Sequence, residues 1–218
     1  MKYLGRSALC LIVVFALGAA GSSVASAALP EFIPGAPPGI ESILKTTKLE
    51  TVGKVVVTCK HGSDSGEVIG PKQVTLKIDL TECKIPGALC TTPGAKLGEI
   101  VTNLLIGELG YIKKSKKQVG LDLFTPAGPI TTFGCGAALG AVVEGSVIGK
   151  IAPVNTLVLP GGHFTLKFSE KLGKQNPPSF EAGPIDVLET SINGGKFEES
   201  GLAGTDEVFF AAPQEIKA

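Results

Sequence analysis

Short runs in which apolar and polar residues alternate restrict this chain to β structure. In "QVTLKIDL", Val74, Leu76, Ile78 and Leu80 alternate with polar residues. A period of two places one face of a strand on a core and the other in water. "HFTLKFSE" and "QVGLDLF" repeat the pattern, and the 29 glycines and 15 prolines fall largely between such runs as turn residues.

Turn signals join these runs into antiparallel hairpins. Asn193-Gly194-Gly195 separates two extended runs, and Val52–Gly53 does the same earlier in the chain. "AVVEGSVIGKI" carries Gly145 and Gly149 inside a strand-like pattern, which indicates a bulge, a sharp bend or a close backbone approach, as where a sheet curls. About ten to twelve short strands with little helix predict an all-β fold, either a single antiparallel barrel or a two-layer β-sandwich.

The beginning of the chain has the features of a secretory signal peptide. Lys2 and Arg6 precede an apolar run, and Ala25–Ala27 supplies the small residues that a signal peptidase reads. The apolar run is too short to span a bilayer. The sequence therefore predicts export, with a signal peptide at 1–27, a Pro/Gly-rich N-terminal arm at 28–40 and a single all-β domain at 41–218.

Cysteine usage agrees with an oxidising compartment. Beyond the predicted signal peptide the chain has Cys59, Cys83, Cys90 and Cys135, whose spacings match no zinc ribbon or finger, so we expect two disulfides. Four cysteines allow three pairings. We favour Cys83–Cys90 across the short "CKIPGALC" loop, which leaves Cys59 to pair with Cys135.

Charge and aromatic content exclude several classes of ligand. The chain has 20 basic and 20 acidic side chains, and Arg6 is its only arginine. Because arginine is the usual bidentate ligand of phosphates and guanine edges, nucleic-acid binding is disfavoured. Sugar stacking is also disfavoured, since the chain has no Trp and only Tyr111 follows the signal peptide among its tyrosines.

The stretch "TCKHGSDSGEVIG" concentrates residue types that occur in catalytic sites. A Cys–His nucleophile pair could be formed by Cys59 and His61. A Ser–His–Asp triad could be formed by His61 and Asp64 with either Ser63 or Ser65. Residues this close in sequence rarely place a base between a nucleophile and a carboxylate. The glycines among them favour a polar turn before the next strand, so we predict no catalytic residue here.

Metal and acid–base sites have weaker support. His61, His163 and a carboxylate such as Asp64 form a metal site only if the fold brings them together. Glu198-Glu199 and Asp206-Glu207 are neighbours that a strand sends to opposite faces, which favours a solubilising role over an acid–base pair. We therefore predict no metal ligand and no cofactor.

One loop has a local charge pattern of its own. Lys113, Lys114, Lys116 and Lys117 lie between two predicted strands of one hairpin. Such a cluster suits contact with an anionic envelope polymer or lipid surface. The commoner explanation of such a cluster is a charged hairpin end that prevents association between sheet edges.

Several blocks of the sequence resemble those of an uncharacterised protein family. "TCKHGSDSGEVIGPKQVTLKIDLTECK", "GSVIGKIAPVN" and "DVLETSINGGKFEESGL" are similar to recurring blocks of small secreted, cysteine-containing proteins from high-GC Gram-positive bacteria. The resemblance covers about residues 45–205 and includes the positions of the four cysteines. It implies export and the extent of the domain, and it carries over no activity, ligand or site residue.

These observations favour a secreted, non-enzymatic structural or interaction protein of the extracellular space or cell envelope. Its expected partner is an envelope component, with neither nucleic acid nor a membrane span. The first alternative is a carrier of a small apolar ligand, because closed barrels of moderate strand number can enclose a pocket. A weaker alternative is a metal-assisted hydrolase that uses the two histidines.

Overall fold

A computed structural model describes residues 30–35, 39–137 and 139–218 of the chain, so the predicted signal peptide lies outside the described residues. Within these ranges the chain forms nineteen strands and a single-turn 3-10 helix, Lys114–Lys116. In chain order the strands are β1 (Glu31–Ile33), β2 (Gly39–Leu44), β3 (Thr47–Thr51), β4 (Val56–Cys59), β5 (His61–Val68), β6 (Gln73–Thr81), β7 (Lys84–Ile85), β8 (Ala88–Thr91), β9 (Ile100–Val101), β10 (Leu105–Lys113), β11 (Gln118–Phe124), β12 (Thr131–Cys135), β13 (Leu139–Ala152), β14 (Phe164–Phe168), β15 (Glu170–Lys171), β16 (Lys174–Gln175), β17 (Leu188–Ile192), β18 (Phe197–Phe210) and β19 (Glu215–Lys217).

The main sheet is antiparallel throughout and closes on itself by two circuits. The first ring runs β10–β11–β13–β14–β18–β2–β5–β6 and returns from β6 to β10. The second ring runs β12–β13–β17–β18–β3–β4–β7–β8 and returns from β8 to β12. The predicted all-β antiparallel fold is therefore confirmed.

Two long strands belong to both rings. β13 pairs through Leu139–Gly145 in the second ring and through its following residues in the first, and β18 is divided in the same way near Ala203. Gly145 lies at the change of ring with φ +91°, where a Cβ atom would come 1.9 Å from the Val187 carbonyl oxygen. Only glycine suits this position, and the close backbone approach, one of the features that the sequence indicates there, is confirmed.

Three further pairs of strands pass from one ring to the other. β2 and β3, β4 and β5, and β6 and β7 are separated by only one or two residues. Each of these three extended segments is thus divided where the rings meet. This division, together with the short strands β1, β9, β15, β16 and β19, explains why the structure has more strands than the ten to twelve that the sequence predicts.

The N-terminal arm is packed over part of its length. Glu31–Ile33 forms β1 and pairs with β19 at the other end of the described chain. Phe32 is buried and its ring centroid lies 6.2 Å from that of Phe210. The arm therefore contributes to the core through Phe32, although its composition predicts a linker without packed elements.

The favoured cysteine pairing is wrong. The structure joins Cys59 to Cys83 and Cys90 to Cys135, with Cα–Cα separations of 3.9 Å. Cys83 and Cys90 do face each other across the β7–β8 hairpin, but the Cys90 amide donates a backbone hydrogen bond to the Cys83 carbonyl. Hydrogen-bonded pairs in antiparallel sheets hold their side chains farther apart than non-hydrogen-bonded pairs, so each cysteine bonds to its outer neighbour.

Candidate functional site

A cavity lies inside the sheet where the two rings meet. Its volume is about 100 Å³, and strands of both rings contribute to its wall. The wall is almost wholly apolar. Its members include Val57, Ile78, Leu105, Leu123, Phe133, Val143, Val147 and Leu202.

Small and polar side chains help to leave this space unfilled. Gly204, Thr47 and Thr102 line the cavity where the strands bend or break between the rings. Protein interiors contain few voids larger than a water molecule. An apolar cavity of about 150 Å³ stays dry and accommodates benzene or xenon, so a cavity of this size suits a molecule with a few heavy atoms.

A pair of buried aspartates lies beside this cavity, and one of them, Asp206, forms part of its wall. Asp206 lines the cavity and is 2% exposed, and Asp64 is 6% exposed. They come from β18 and β5, on either side of β2, whose buried Ser42 is the register partner of Asp64. We call Asp64 and Asp206 the carboxyl pair.

The carboxyl pair is poorly satisfied. The two carboxyls and the Ser42 hydroxyl interact with one another, but Asp64 Oδ1, Asp206 Oδ1 and Ser42 Oγ are buried and make no hydrogen bond of normal geometry within the described part of the chain. Burial, with repulsion from Asp64, raises the pKa of Asp206 to about 8. Burial also raises the pKa of Asp64, and the Ser42 hydroxyl opposes both increases. Two carboxyls in one apolar site cannot both ionise readily, so the carboxyl pair retains a proton at neutral pH.

The predicted polar turn around Asp64 is wrong, because His61–Val68 is the strand β5. It lies between β2 and β6 in the first ring. His61, Ser63 and Ser65 are exposed, whereas Asp64 and Val68 point inward and are buried. The period of two is present in the sequence, but glycine and aspartate occupy the inward positions and conceal it.

The catalytic candidates in this stretch are not assembled. Cys59 is in a disulfide, so it offers no thiolate. His61 is exposed, with Nε2 3.7 Å from Glu82 Oε1. Because Asp64 points to the opposite face of the strand from His61, Ser63 and Ser65, the three residue types do not form a triad.

The second histidine lies in a different environment. His163 is exposed just before β14, and its ring centroid lies 5.6 Å from that of Phe209. No ion pair or ring contact joins it to His61 in the described ranges. Those ranges also contain no group of three His, Cys, Asp or Glu residues placed to hold a metal ion.

The neighbouring carboxylates separate as the sequence predicts. Asp206 points inward, and the adjacent Glu207 forms an ion pair with Lys45 on the outer side. Glu199 forms an ion pair with Lys174. The solubilising role predicted for these residues is wrong for Asp206, because it is buried in the first ring.

A second buried carboxyl lies on the outer face of the first ring. Asp122 is 9% exposed, and its pKa is raised to about 7 by burial, then by the charges of Asp186 and Glu108. Gln175 joins the segment that contains Asp186 to strand β13. Its Oε1 accepts a hydrogen bond from the Ile148 amide at 3.0 Å, and its Nε2 donates one to the Asp186 carbonyl.

Residues 176–187, the covering segment, shield Asp122. The Phe180 ring packs on Gly110 and Gly120, and a Cβ atom at Gly110 would come 2.4 Å from Phe180 Cδ2. The Glu181 amide donates to the Tyr111 carbonyl at 2.7 Å. This cluster is closed by its own chain, which favours a structural role for Asp122.

The four lysines singled out by the sequence occupy one hairpin end, here called the lysine tip. Lys113, Lys114, Lys116 and Lys117 are all exposed around the 3-10 turn between β10 and β11. The Lys114 amide donates to a carboxylate oxygen of Glu181. The lysine tip is thus anchored to the covering segment while its charges face solvent.

Comparisons with protein-family models, curated proteins and solved structures found no match to this chain. Across residues 30–35, 39–137 and 139–218, no helix combines the length and the apolar character needed to cross a membrane.

Proposed function

We propose that this chain is a non-enzymatic binding protein of the extracellular space or cell envelope that holds a small apolar molecule in the cavity between its rings. The observation that carries this proposal is the apolar cavity of about 100 Å³ at the junction. An empty cavity costs about 24 cal/mol per Å³, or roughly 2 kcal/mol here. A purely structural role gives no reason to retain that cost, whereas a ligand that fills the space offsets it.

The extracellular part of the proposal is supported by the sequence and the cysteines. A signal peptide is predicted at 1–27, and two disulfides join all four cysteines of the domain. Disulfides persist mainly in oxidising compartments. The resemblance to a family of small secreted proteins supports the same location.

The non-enzymatic part is supported by the arrangement of the reactive side chains. Cys59 is oxidised, and His61 and Asp64 occupy opposite faces of β5. A hydrolase needs a nucleophile or an activated water within reach of a base. In this stretch the described residues bring no such groups together.

Binding of xenon and n-pentane to the purified protein tests the proposal. We expect 129Xe chemical-shift changes and a rise in melting temperature with n-pentane, because both probes fit an apolar cavity. Val147→Leu and Val147→Phe should weaken and then abolish binding as they fill the cavity. Val52→Phe, on a partly exposed valine outside it, serves as the matched control and should bind normally. Absence of binding to the wild-type protein, or equal binding to Val147→Phe, would contradict the proposal.

The lysine tip supports a second candidate, contact with an anionic polymer of the cell envelope. All four of its lysines are exposed within five residues of one hairpin end. Concentrated positive charge at a protruding end attracts polyanions over about one Debye length, roughly 8 Å at physiological salt.

A further inference from the structure

We propose that the ligand of the junction cavity is a small alkylamine, whose ammonium group is bound by Asp206 and Asp64 while its alkyl chain occupies the apolar space. This inference rests on the proposed function, because it requires that a molecule enters the cavity. It adds the chemical class of the head group.

The first argument is the hydrogen-bonding capacity of the wall. Asp206 is 98% buried, lines the cavity and has an Oδ1 atom that makes no hydrogen bond of normal geometry among the described residues. The same holds for Oδ1 of Asp64, and the two carboxyls interact with each other and with the Ser42 hydroxyl. An ionised carboxylate only accepts hydrogen bonds. A ligand that satisfies these oxygens must therefore donate, and an ammonium group has three N–H bonds with which to do so.

The second argument is the lack of a cation around the carboxyl pair. On the strands that flank β18, the register partners of Asp206 are Leu44 and Leu166. The partners of Asp64 are Ser42 and Ile78. Lys and Arg are missing from the described residues that line the cavity. The adjacent Glu207 carries a negative charge, which disfavours the ionised form of Asp206. Glu207 itself forms an ion pair with Lys45.

The third argument concerns the free energy of binding. Folding has already removed both carboxyls from water, so binding requires desolvation of the ammonium group alone. Preorganisation of the two carboxyls increases the affinity, because neither carboxyl has to be ordered or dehydrated when the ligand binds. An alkyl carboxylate would be repelled by the carboxyl pair, and an alkyl alcohol would donate a single hydrogen bond without balancing any charge.

The proton balance follows from the state of the carboxyl pair. The pair holds a proton at neutral pH, and the amine enters as R–NH3⁺. We expect the ammonium group to displace this proton from between the two carboxyls, so that one carboxylic acid becomes a carboxylate and one proton is released to solvent. Affinity should rise with pH up to the range where the carboxyl pair is ionised, because the amine, with a pKa near that of lysine at about 10.4, stays protonated there.

Titration calorimetry with n-butylamine, n-butanol and sodium butyrate tests the proposal on the wild-type protein. At pH 8 we expect n-butylamine to bind about tenfold or more tightly than n-butanol, consistent with hydrogen bonds to charged groups, and butyrate to bind least. Repetition in two buffers of different ionisation enthalpy should show release of up to one proton. Affinity for n-butylamine, but not for n-butanol, should be lower at pH 6.

Isosteric variants supply the second test. Asp206→Asn and Asp64→Asn should lose the preference for the amine while they retain n-butanol and xenon. Asp79→Asn, on the outward face of β6, is the matched control. If n-butanol and xenon bind but n-butylamine binds no better and releases no proton, the amine proposal is wrong and the proposed function stands. If none of the probes enters the wild-type protein, both are wrong. The calorimetry of the wild-type protein decides the question even where a variant fails to fold.

Discussion

Cys83 and Cys90 lie opposite each other on the β7–β8 hairpin, yet they form no disulfide with each other. Cys83 is joined to Cys59, and Cys90 is joined to Cys135. Cys59 on β4 and Cys135 on β12 complete a row of four cysteines across adjacent strands. All four are buried in the second ring. The disulfides therefore tie the hairpin to both of its neighbours, whereas a Cys83–Cys90 bond would only have closed a hairpin that is already hydrogen-bonded.

Proteolytic mapping under non-reducing conditions should yield the Cys59–Cys83 and Cys90–Cys135 peptides. The bonds close sequence separations of 24 and 45 residues. By the chain-entropy relation, replacement of both cysteines of a bond by alanine should lower the free energy of unfolding by about 3 and 4 kcal/mol respectively. Denaturant titration of the two double variants measures both values. Recovery of a Cys83–Cys90 peptide from the native protein would refute the arrangement.

The carboxyl pair should make stability decrease as pH rises. The pKa of Asp206 is raised to about 8 in the folded state, against about 3.9 in the unfolded chain. The folded state therefore binds more protons between these values. Its stability contribution is complete below about pH 4 and is lost as pH rises toward 8. Melting temperatures measured from pH 4 to pH 9 should show this decline.

Asp206→Asn should remove most of this pH dependence and raise the melting temperature at pH 8.5 by several degrees, since about 1 kcal/mol corresponds to about 2–4 °C in a domain of this size. Asp122→Asn should remove a smaller part, because the pKa of Asp122 is raised to about 7. A steep decline that persists in Asp206→Asn would assign the effect to other groups.

Substitution at Gly110 should loosen the covering segment. A Cβ atom in Gly110→Ala would come 2.4 Å from Phe180 Cδ2, so the ring must move, at a cost on the order of 1–3 kcal/mol. The Glu181 amide, which donates to the Tyr111 carbonyl, should then exchange its hydrogen faster. Gly70→Ala is the matched control, because a Cβ there meets nothing within 4 Å. Unchanged exchange at Glu181 in Gly110→Ala would show that Phe180 does not hold the segment.

The lysine tip should dominate binding to anionic polymers. Replacement of Lys113, Lys114, Lys116 and Lys117 by glutamine should abolish retention on a polyphosphate matrix and flatten its salt dependence, since those charges are exposed. A matched variant replaces Lys45, Lys48, Lys60 and Lys174, which already form ion pairs. Equal loss in both variants would indicate a general charge effect and exclude a specific role of the tip.

The alternation of apolar and polar residues identifies only those strands whose inward residues are apolar. The sequence therefore predicts these strands and misses those with polar or glycine residues at inward positions. β6, β11 and β14 follow directly from Val74, Val119 and Phe164 with the residues that alternate after them. β5 does not, because its inward positions include Asp64 and glycines that resemble a turn. The hairpin at Asn193-Gly194 is found because its turn is local, and β17 pairs with β18 there.

The candidate site depends on distant positions that no local pattern relates. Asp64 and Asp206 meet because β2 lies between β5 and β18, and that order is set by closure of the ring. Reading "HGSDSGEV" with a period of two places Asp64 inward, and the same reading of "GTDEVFF" places Asp206 with Val208 and Phe210. A search for acidic residues at inward positions would thus have found the carboxyl pair, although the cavity itself depends on the bends between rings.

The sharing of β13 and β18 has a consequence for how the molecule unfolds. Each of these 14-residue strands is hydrogen-bonded in both rings. Neither ring can therefore open fully unless the other ring also loses the hydrogen bonds of these two strands. We expect a single cooperative transition by heat or denaturant, with the slowest hydrogen exchange at Val143, Ile148 and Val208. Successive melting of two halves would contradict this expectation. Residues 39–137 and 139–218 thus together form two closed rings of strands that we expect to fold as one unit.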